Sequence, residues 1–153
     1  MELWQMDVVG GFPLADGTSA KASTGIDDYS RMCVCAHLMS RDRTRAVCDG
    51  LRTALARYGA PEQILTDNGK VFTGRFNHPP VEVLFDAICR ELRIEYLLTQ
   101  PRSPTTTGKI ERFHRSLRAD FLSTAAPFPS LKQPNRPSMS GWPTTTPHGA
   151  INR

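Results

Sequence analysis

The feature that most constrains the fold of this chain is a short apolar run that ends on a carboxylate. Gln63-Ile64-Leu65 reads as a buried strand, entered through Pro61 and Glu62 and ended at Asp67 by Asn68-Gly69. Asn and Gly both tolerate positive φ, so the backbone swings away immediately after Asp67. A carboxylate placed there stands where the strands of an α/β sheet open into a crevice. An isolated Asp-Asn-Gly is most often only a turn, so the rest of the chain decides what Asp67 is for.

Upstream, residues 3–9 alternate as a first strand, with Leu3, Gln5, Asp7 and Val9 on one face and Trp4, Met6 and Val8 on the other. A carboxylate among apolar neighbours is costly unless a cation meets it, either a Lys or Arg or something brought from outside. Residues 10–17, with Pro13 and Asp16-Gly17, read as a loop. Strands at 21–26 and 31–39, joined by Asp27-Asp28-Tyr29-Ser30, complete an antiparallel meander. From Arg41 the period becomes helical through Ala46, Val47, Gly50, Leu51, Ala54, Leu55 and Tyr58. Ser40 or Asp42 is the expected cap, and Gly59 with Pro61 the stop. Arg43, Arg45, Arg52 and Arg57 lie off the stripe, as a solvated face does.

After the strand that ends at Asp67, residues 73–80 read as a loop and 81–92 as a second helix, with Val81, Leu84, Phe85, Ile88 and Leu92 on one side. A fifth strand follows at 94–98. Residues 100–108 are rich in breakers and hydroxyls and read as a mobile loop. They deliver the chain into a third helix, from Lys109 to about Leu122. On it Ile110, Phe113, Leu117 and Phe121 form the packing face, and Glu111, His114, Arg115 and Arg118 the adjacent arc. The order is βββαβαβα. Residues 124–153 hold six prolines and no apolar period, so the expected division is a core over 1–122 and an irregular, proline-rich tail over 123–153.

Composition narrows the class rather than fixing it. The chain has 153 residues, enough for one packed domain, and its net charge of +4 suits a polyanion partner without requiring one. Cys33, Cys35, Cys48 and Cys89 form no Cys-x-x-Cys pair and read as reduced, buried thiols, with Cys33 and Cys35 on the same sheet face. No apolar run approaches a membrane span and the N-terminus is not a signal peptide, so the expected location is cytoplasmic.

Asp7, Asp67 and Glu111 bring three carboxylates to two strands and a helix start, with no His or Cys cluster. Oxygen ligands alone are what a hard divalent cation takes. Two Mg²⁺ ions about 4 Å apart can clamp the attacking and leaving oxygens of a phosphodiester. The cationic comb beside Glu111 then has an obvious anion to meet, a nucleic-acid backbone.

The run Thr66-Asp67-Asn68-Gly69-Lys70-Val71-Phe72 and the run Pro101-Arg102-Ser103-Pro104-Thr105-Thr106-Thr107-Gly108-Lys109-Ile110-Glu111-Arg112-Phe113-His114-Arg115-Ser116-Leu117 closely resemble the integrase catalytic core. Similar cores occur in transposases of bacterial insertion sequences and in retroviral integrases. Trp4-Gln5-Met6-Asp7 resembles the family's first catalytic strand, and Asp27-Asp28-Tyr29-Ser30-Arg31 its hairpin. The resemblance covers about residues 2–122. It implies an α/β, ribonuclease H-like fold with a five-stranded mixed sheet, three antiparallel strands followed by two parallel ones.

It further implies a polynucleotidyl transferase with the acidic triad Asp7, Asp67 and Glu111, which both catalyses and holds two Mg²⁺ (or Mn²⁺) ions. DNA is cleaved and its strand transferred by in-line attack, with no covalent enzyme intermediate. Asn68, Arg102, Lys109, Arg112, His114, Arg115 and Arg118 are the implied DNA-binding residues. The implied partners are DNA, further copies of the chain in the active complex and, since the family's end-reading helix-turn-helix region is not seen ahead of the first strand, a separately encoded one. The bacterial relatives imply a nucleoid-associated protein of the bacterial cytoplasm. The family's usual terminal helix is replaced by the proline-strewn tail, as in a truncated or frameshifted gene. Two other readings stay open: a decayed remnant that binds nucleic acid without useful catalysis, and a ribonuclease H-like nuclease with another substrate.

Overall fold

The structure, a computed structural model, describes residues 1–99, 108–122 and 127–128. Strands β1 (Leu3–Pro13), β2 (Ser19–Asp27) and β3 (Cys33–Met39) form the antiparallel meander. Helix α1 (Thr44–Tyr58), strand β4 (Gln63–Thr66), helix α2 (Leu84–Glu91) and strand β5 (Glu95–Leu98) follow, then helix α3 (Gly108–Ser116), which continues as a π-helical turn over Leu117–Leu122. The sheet order is β3-β2-β1-β4-β5, and both β4 pairings are parallel. The fold is therefore the expected five-stranded mixed α/β sheet, with β1 at its centre.

The two faces of the sheet bury different things. Trp4 and Met6 of β1 join Val47, Leu51 and Ala54 of α1 and Phe85 and Ile88 of α2 in the larger core. Val9, Phe12 and Leu14 join Ala20, Ala22 and Leu117 on the opposite face, with Phe113 and Phe128 packed against them. Strict alternation would put Val9 and Phe12 on opposite faces. A bulge between Gly10 and Phe12 adds one residue and restores Phe12 to the Val9 side. Gly11 takes the left-handed backbone there, at φ 94°. β1 consequently runs to Pro13, four residues past the expected end, and the expected loop shrinks to the turn after it.

Other expectations change for local reasons. α2 starts at Leu84 rather than 81, because Val81 is tied into the preceding loop by its amide, which donates to Gly74 O at 3.2 Å. Its first turn is closed by Asp86, whose Oδ2 accepts the Val83 amide at 3.2 Å. Val81, Leu84 and Leu92 end up exposed, and Phe85, Ile88 and Cys89 carry the packing. Neither Ser40 nor Asp42 caps α1: Asp42 pairs with Lys21 of β2 at 2.8 Å, and the cap position is Arg43 with no side-chain bond.

All four cysteines are free and buried, with thiols pushed up to about 12 by burial. The expected same-face pair is broken by an irregularity between β2 and β3, where Gly25 and Ile26 pair with Cys35 and Cys33. Val34 and Cys35 both join the larger core and Cys33 does not. Beyond Leu122, Pro127 and Phe128 are described. Phe128 forms a parallel bridge with Leu14 and sets its ring against Phe12, centroids 6.1 Å apart. Packing thus continues past the boundary expected at 122. The rest of the expected tail, most of the expected loop at 100–108 and the Phe121 side chain lie outside what is described. No described helix is long and apolar enough to cross a membrane.

Candidate active site

Parallel pairing of β1 and β4 places Leu3, Trp4 and Gln5 beside Gln63, Ile64 and Leu65. Asp7 and Asp67 follow two residues after the last pair on each chain segment, where the β1–β4 pairing ends. Asp67 is exposed, and its Oδ1 accepts the Gly69 amide at 2.9 Å, closing the turn that Asn68-Gly69 begins. A side chain on Gly69 would meet that carboxylate oxygen at 2.8 Å. Asn68 donates to Thr99 O at 3.2 Å and so ties the end of β4 to the end of β5.

Asp7 is half-buried on the α3 face. Its Oδ1 accepts the Val8 amide at 2.7 Å. Its carboxyl is raised to about 6, first by burial, then by repulsion from Asp67 and Glu111, with the Val8 bond opposing. Asp67 and Glu111 are therefore each within electrostatic reach of Asp7. Among the described residues, no three of His, Cys, Asp and Glu are gathered closely enough to hold a metal ion as they stand. The donor chemistry fits a hard divalent cation, since all three groups are carboxylates and Asp7 carries repulsion that a cation would offset.

Glu111 lies in the first turn of α3 and is exposed. Arg112, Arg115 and Arg118 are exposed along the same helix and its π-helical extension. His114, expected on that outward arc, is instead buried at 8% exposure. Its Nε2 lies 2.8 Å from Thr24 Oγ1, and its Nδ1 3.7 Å from Asp7 Oδ2. Thr24 stands opposite Asp7 in the β1–β2 register, and its hydroxyl donates to Asp7 O at 3.1 Å. Burial, then Arg118, depresses His114 to about 4, so the ring is neutral at pH 7 and its contact with Asp7 is not an ion pair. The inward turn of His114 has a simple cause. At 100° per residue His114 is only about 40° round the helix from Ile110, and β2 offers it a hydroxyl.

Lys109 is tied to the β2–β3 hairpin, although 42% of its side chain meets solvent. Its Nζ donates to Asp28 Oδ2 at 2.5 Å. Asp28 Oδ1 accepts from Gln5 Nε2 at 2.7 Å, and Gln5 Oε1 accepts the Ile110 amide at 3.3 Å. Gln5, Thr24 and Asp28 are not among the residues expected at the site. Thr24 follows from the β1–β2 register, which the bulge at Gly11 hides from the sequence; the other two depend on a helix more than 80 positions away. Arg102 lies outside the described residues.

The integrase core domain family matches residues 1–104, which include Asp7 and Asp67 and stop short of Glu111. A protein of insertion element IS476 from Xanthomonas euvesicatoria is 30% identical over 80% of this chain and 33% of its own length. The Gag-Pro-Pol polyprotein of squirrel monkey retrovirus is 29% identical over 86% of this chain and 6% of its own length. The chain thus spans a third or less of these relatives. Among solved structures, the simian T-cell lymphotropic virus intasome in complex with PP2A regulatory subunit B56 gamma aligns with a TM-score of 0.64 and 26% identity. That alignment covers 76% of this chain and 38% of that one. The HTLV-2 integrase catalytic core domain in complex with magnesium shares the fold, with a TM-score of 0.58 at 18% identity over 76% of this chain and 66% of that one. On the extent of the family match, this chain belongs to the integrase core domain family.

Proposed function

We propose that the chain is the catalytic core of a DNA-integrating transposase or integrase that cleaves phosphodiesters and transfers DNA strands with Mg²⁺ or Mn²⁺. One observation carries the reading: Asp7, at the centre of the sheet, feels Asp67 from the parallel neighbour strand and Glu111 from the helix across it. Asp7, Asp67 and Glu111 are the residues that would hold the metal. When bound, two such ions supply Lewis-acid stabilisation of the attacking and leaving oxygens and lower the pKa of the attacking water.

The chain's own residues do the rest. Strands β1 and β4 fix two carboxylates on rigid backbone, so little reorganisation is left for the reacting state. Arg112, Arg115 and Arg118 present an exposed cationic edge beside Glu111, where a DNA strand lies across the carboxylates with its phosphates on the guanidinium groups. Asn68 would extend that contact on the β4 side, and Arg102 belongs to the same proposal by its motif. The HTLV-2 core is described in dimeric and trimeric forms. Self-association belongs to the same proposal for this chain.

A second reading, a remnant that binds DNA without catalysis, draws on the carboxylates not being gathered into a closed metal site among the described residues. Nicking of supercoiled DNA in Mn²⁺ separates the two. The catalytic reading expects nicking by the parent and its loss in Asp7→Asn, Asp67→Asn and Glu111→Gln. Full activity in all three variants sinks the triad. DNA binding by a parent that does not nick favours the remnant.

A further inference from the structure

The polar contacts around the start of α3 form a closed chain that the catalytic reading does not use. Gln5 is 4% exposed in the central strand. Its amide spans the gap between the β2–β3 hairpin and α3, accepting from the Ile110 amide and donating to Asp28 Oδ1. Asp28 is itself fixed by its own amide, which donates to Leu3 O at 2.8 Å, and its second oxygen takes Lys109. Arg31 approaches Asp28 Oδ1 at 3.7 Å. The Ile110 amide is one of the first-turn donors that an α-helix cannot satisfy internally.

Gln5 and Asp7 are two residues apart on one face of β1, and Ile110 and Glu111 are adjacent. The bond from Gln5 to Ile110 therefore runs beside the gap between the Asp7 and Glu111 carboxylates. We infer that Gln5 and Asp28 are positioning residues for Glu111: together they latch the first turn of α3 to the sheet and set where that carboxylate stands. This rests on the catalytic reading for its consequence, and on the hydrogen bonds alone for its existence. A buried Gln merely satisfying its own amide would need Asp28 as acceptor but not the Lys109 that Asp28 holds beyond it.

The chain of donors and acceptors has one direction, and that gives the test. In Gln5→Glu two carboxylates meet head to head. In Asp28→Asn the new amide must face either the Gln5 amide or the Lys109 ammonium. When both substitutions are combined, the polarity reverses and every group from Ile110 through positions 5 and 28 to Lys109 is satisfied again, with Arg31 alone losing a carboxylate neighbour. The new amide at position 28 then donates to the new carboxylate at position 5 and accepts from Lys109, while that carboxylate also accepts the Ile110 amide. The single Gln5→Glu and the double variant share the new carboxylate at position 5, two residues from Asp7, and differ by the Asp28 charge alone.

Two quantities are read on the full chain, the amide hydrogen exchange of Ile110 and the affinity for Mn²⁺ by electron paramagnetic resonance. Each single variant is expected to speed Ile110 exchange and weaken Mn²⁺ binding by about tenfold, the size of one lost hydrogen bond to a charged partner, and the double variant to recover most of both. Unchanged exchange in the singles, or a double variant worse than either single, overturns the latch. So does a lower melting temperature with exchange and Mn²⁺ affinity unmoved. Failure of the catalytic reading would look different: Mn²⁺ binding by the parent would be absent or indifferent to Asp67→Asn, with the exchange result still deciding the latch.

Discussion

The two faces of the sheet are packed by different rules. Under α1 and α2 the contacts are apolar and close: Trp4, Val47, Cys48, Leu51, Ile64 and Phe85 are all fully buried. Under α3 the apolar contacts of Ile110, Phe113 and Leu117 alternate with a polar seam, in which Gln5, Asp7 and Thr24 of the sheet meet Ile110 N and His114 of the helix. Apolar burial is strong and non-directional, whereas hydrogen bonds add little net stability but fix geometry. The first face should therefore govern whether the chain folds, and the second where its carboxylates stand.

The largest effect expected from that contrast is at Leu51. Leu51→Ala leaves a void under α1 and should cost about 2–5 kcal/mol, enough to leave the chain largely unfolded if its stability is ordinary. Phe113→Ala, on a half-buried ring of the other face, should cost about 1–2 kcal/mol. Urea denaturation of both variants checks the order. Equal losses would mean the α3 face carries as much stability as the α1 face.

Gly50→Ala should come next. α1 crosses β3 so closely at this point that a Cβ on Gly50 would lie 2.8 Å from His37 Cβ and 3.2 Å from Cys35 Sγ. Neither neighbour is a flexible chain end, so helix or strand must shift. The overpacking should cost about 1–3 kcal/mol, although Ala is the better helix former. A neutral or stabilising result in thermal denaturation would show that α1 can ride outward freely.

How far these differences are readable in the sequence follows the same divide. Strands and helices, their order and the position of Asp67 at a strand end follow from periodicity and turn chemistry, which are local. The extra residue at Gly11 is hidden because Gly10-Gly11 reads equally well as a loop. The start of α2 is misplaced because apolar residues at Val81 and Leu84 imitate a helix face, while the Val81 amide is committed to Gly74. Counting charges on a helix places His114 outward. What decides its orientation is a threonine 90 positions earlier, on a strand whose register the local pattern does not reveal.

The polar seam should also be visible as a pH effect at Asp7. Its folded carboxyl sits near 6, above the unfolded value of 3.8, so the folded chain holds a proton there that the unfolded chain has released. Its contribution is therefore fully favourable below about pH 4, falls as pH rises through about 6, and is a penalty above that. His114 has the opposite sign: depressed to about 4, it costs stability as pH falls below its unfolded value of 6.5. The two slopes oppose each other between about pH 4 and 6. Asp7→Asn should leave stability unchanged near pH 4 and raise it by about 1–2 kcal/mol at about pH 7.5, a range discounted because 30% of the Asp7 side chain still meets solvent. Asn can keep the Val8 bond and donate to His114. Stability of the variant should then rise with pH from about 4 to 6.5, showing the His114 slope uncovered. A pH-independent difference between parent and variant would refute the assignment.

The smallest effect expected on stability, and the one that isolates the outer edge of α3, belongs to Arg115 and Arg118. Both are exposed, so replacing them with Ala should change folding by no more than about 0.5 kcal/mol. Charged helix faces are often only solvated, and that is the alternative to beat. If the two guanidinium groups contact phosphates, the double variant should weaken binding to duplexes of any sequence. The slope of log affinity against log salt should also become shallower by about 1–2, nearly one for each lost contact. Because His114 is buried against the sheet and the Lys109 ammonium is already paired with Asp28, their replacement should not alter that slope by direct contact. Their effects should instead pass through the position of the helix. A titration of duplex affinity from low to moderate salt distinguishes the two sets. A salt slope that stays unchanged without Arg115 and Arg118, or that falls as much without Lys109, would move the DNA path off this edge of α3.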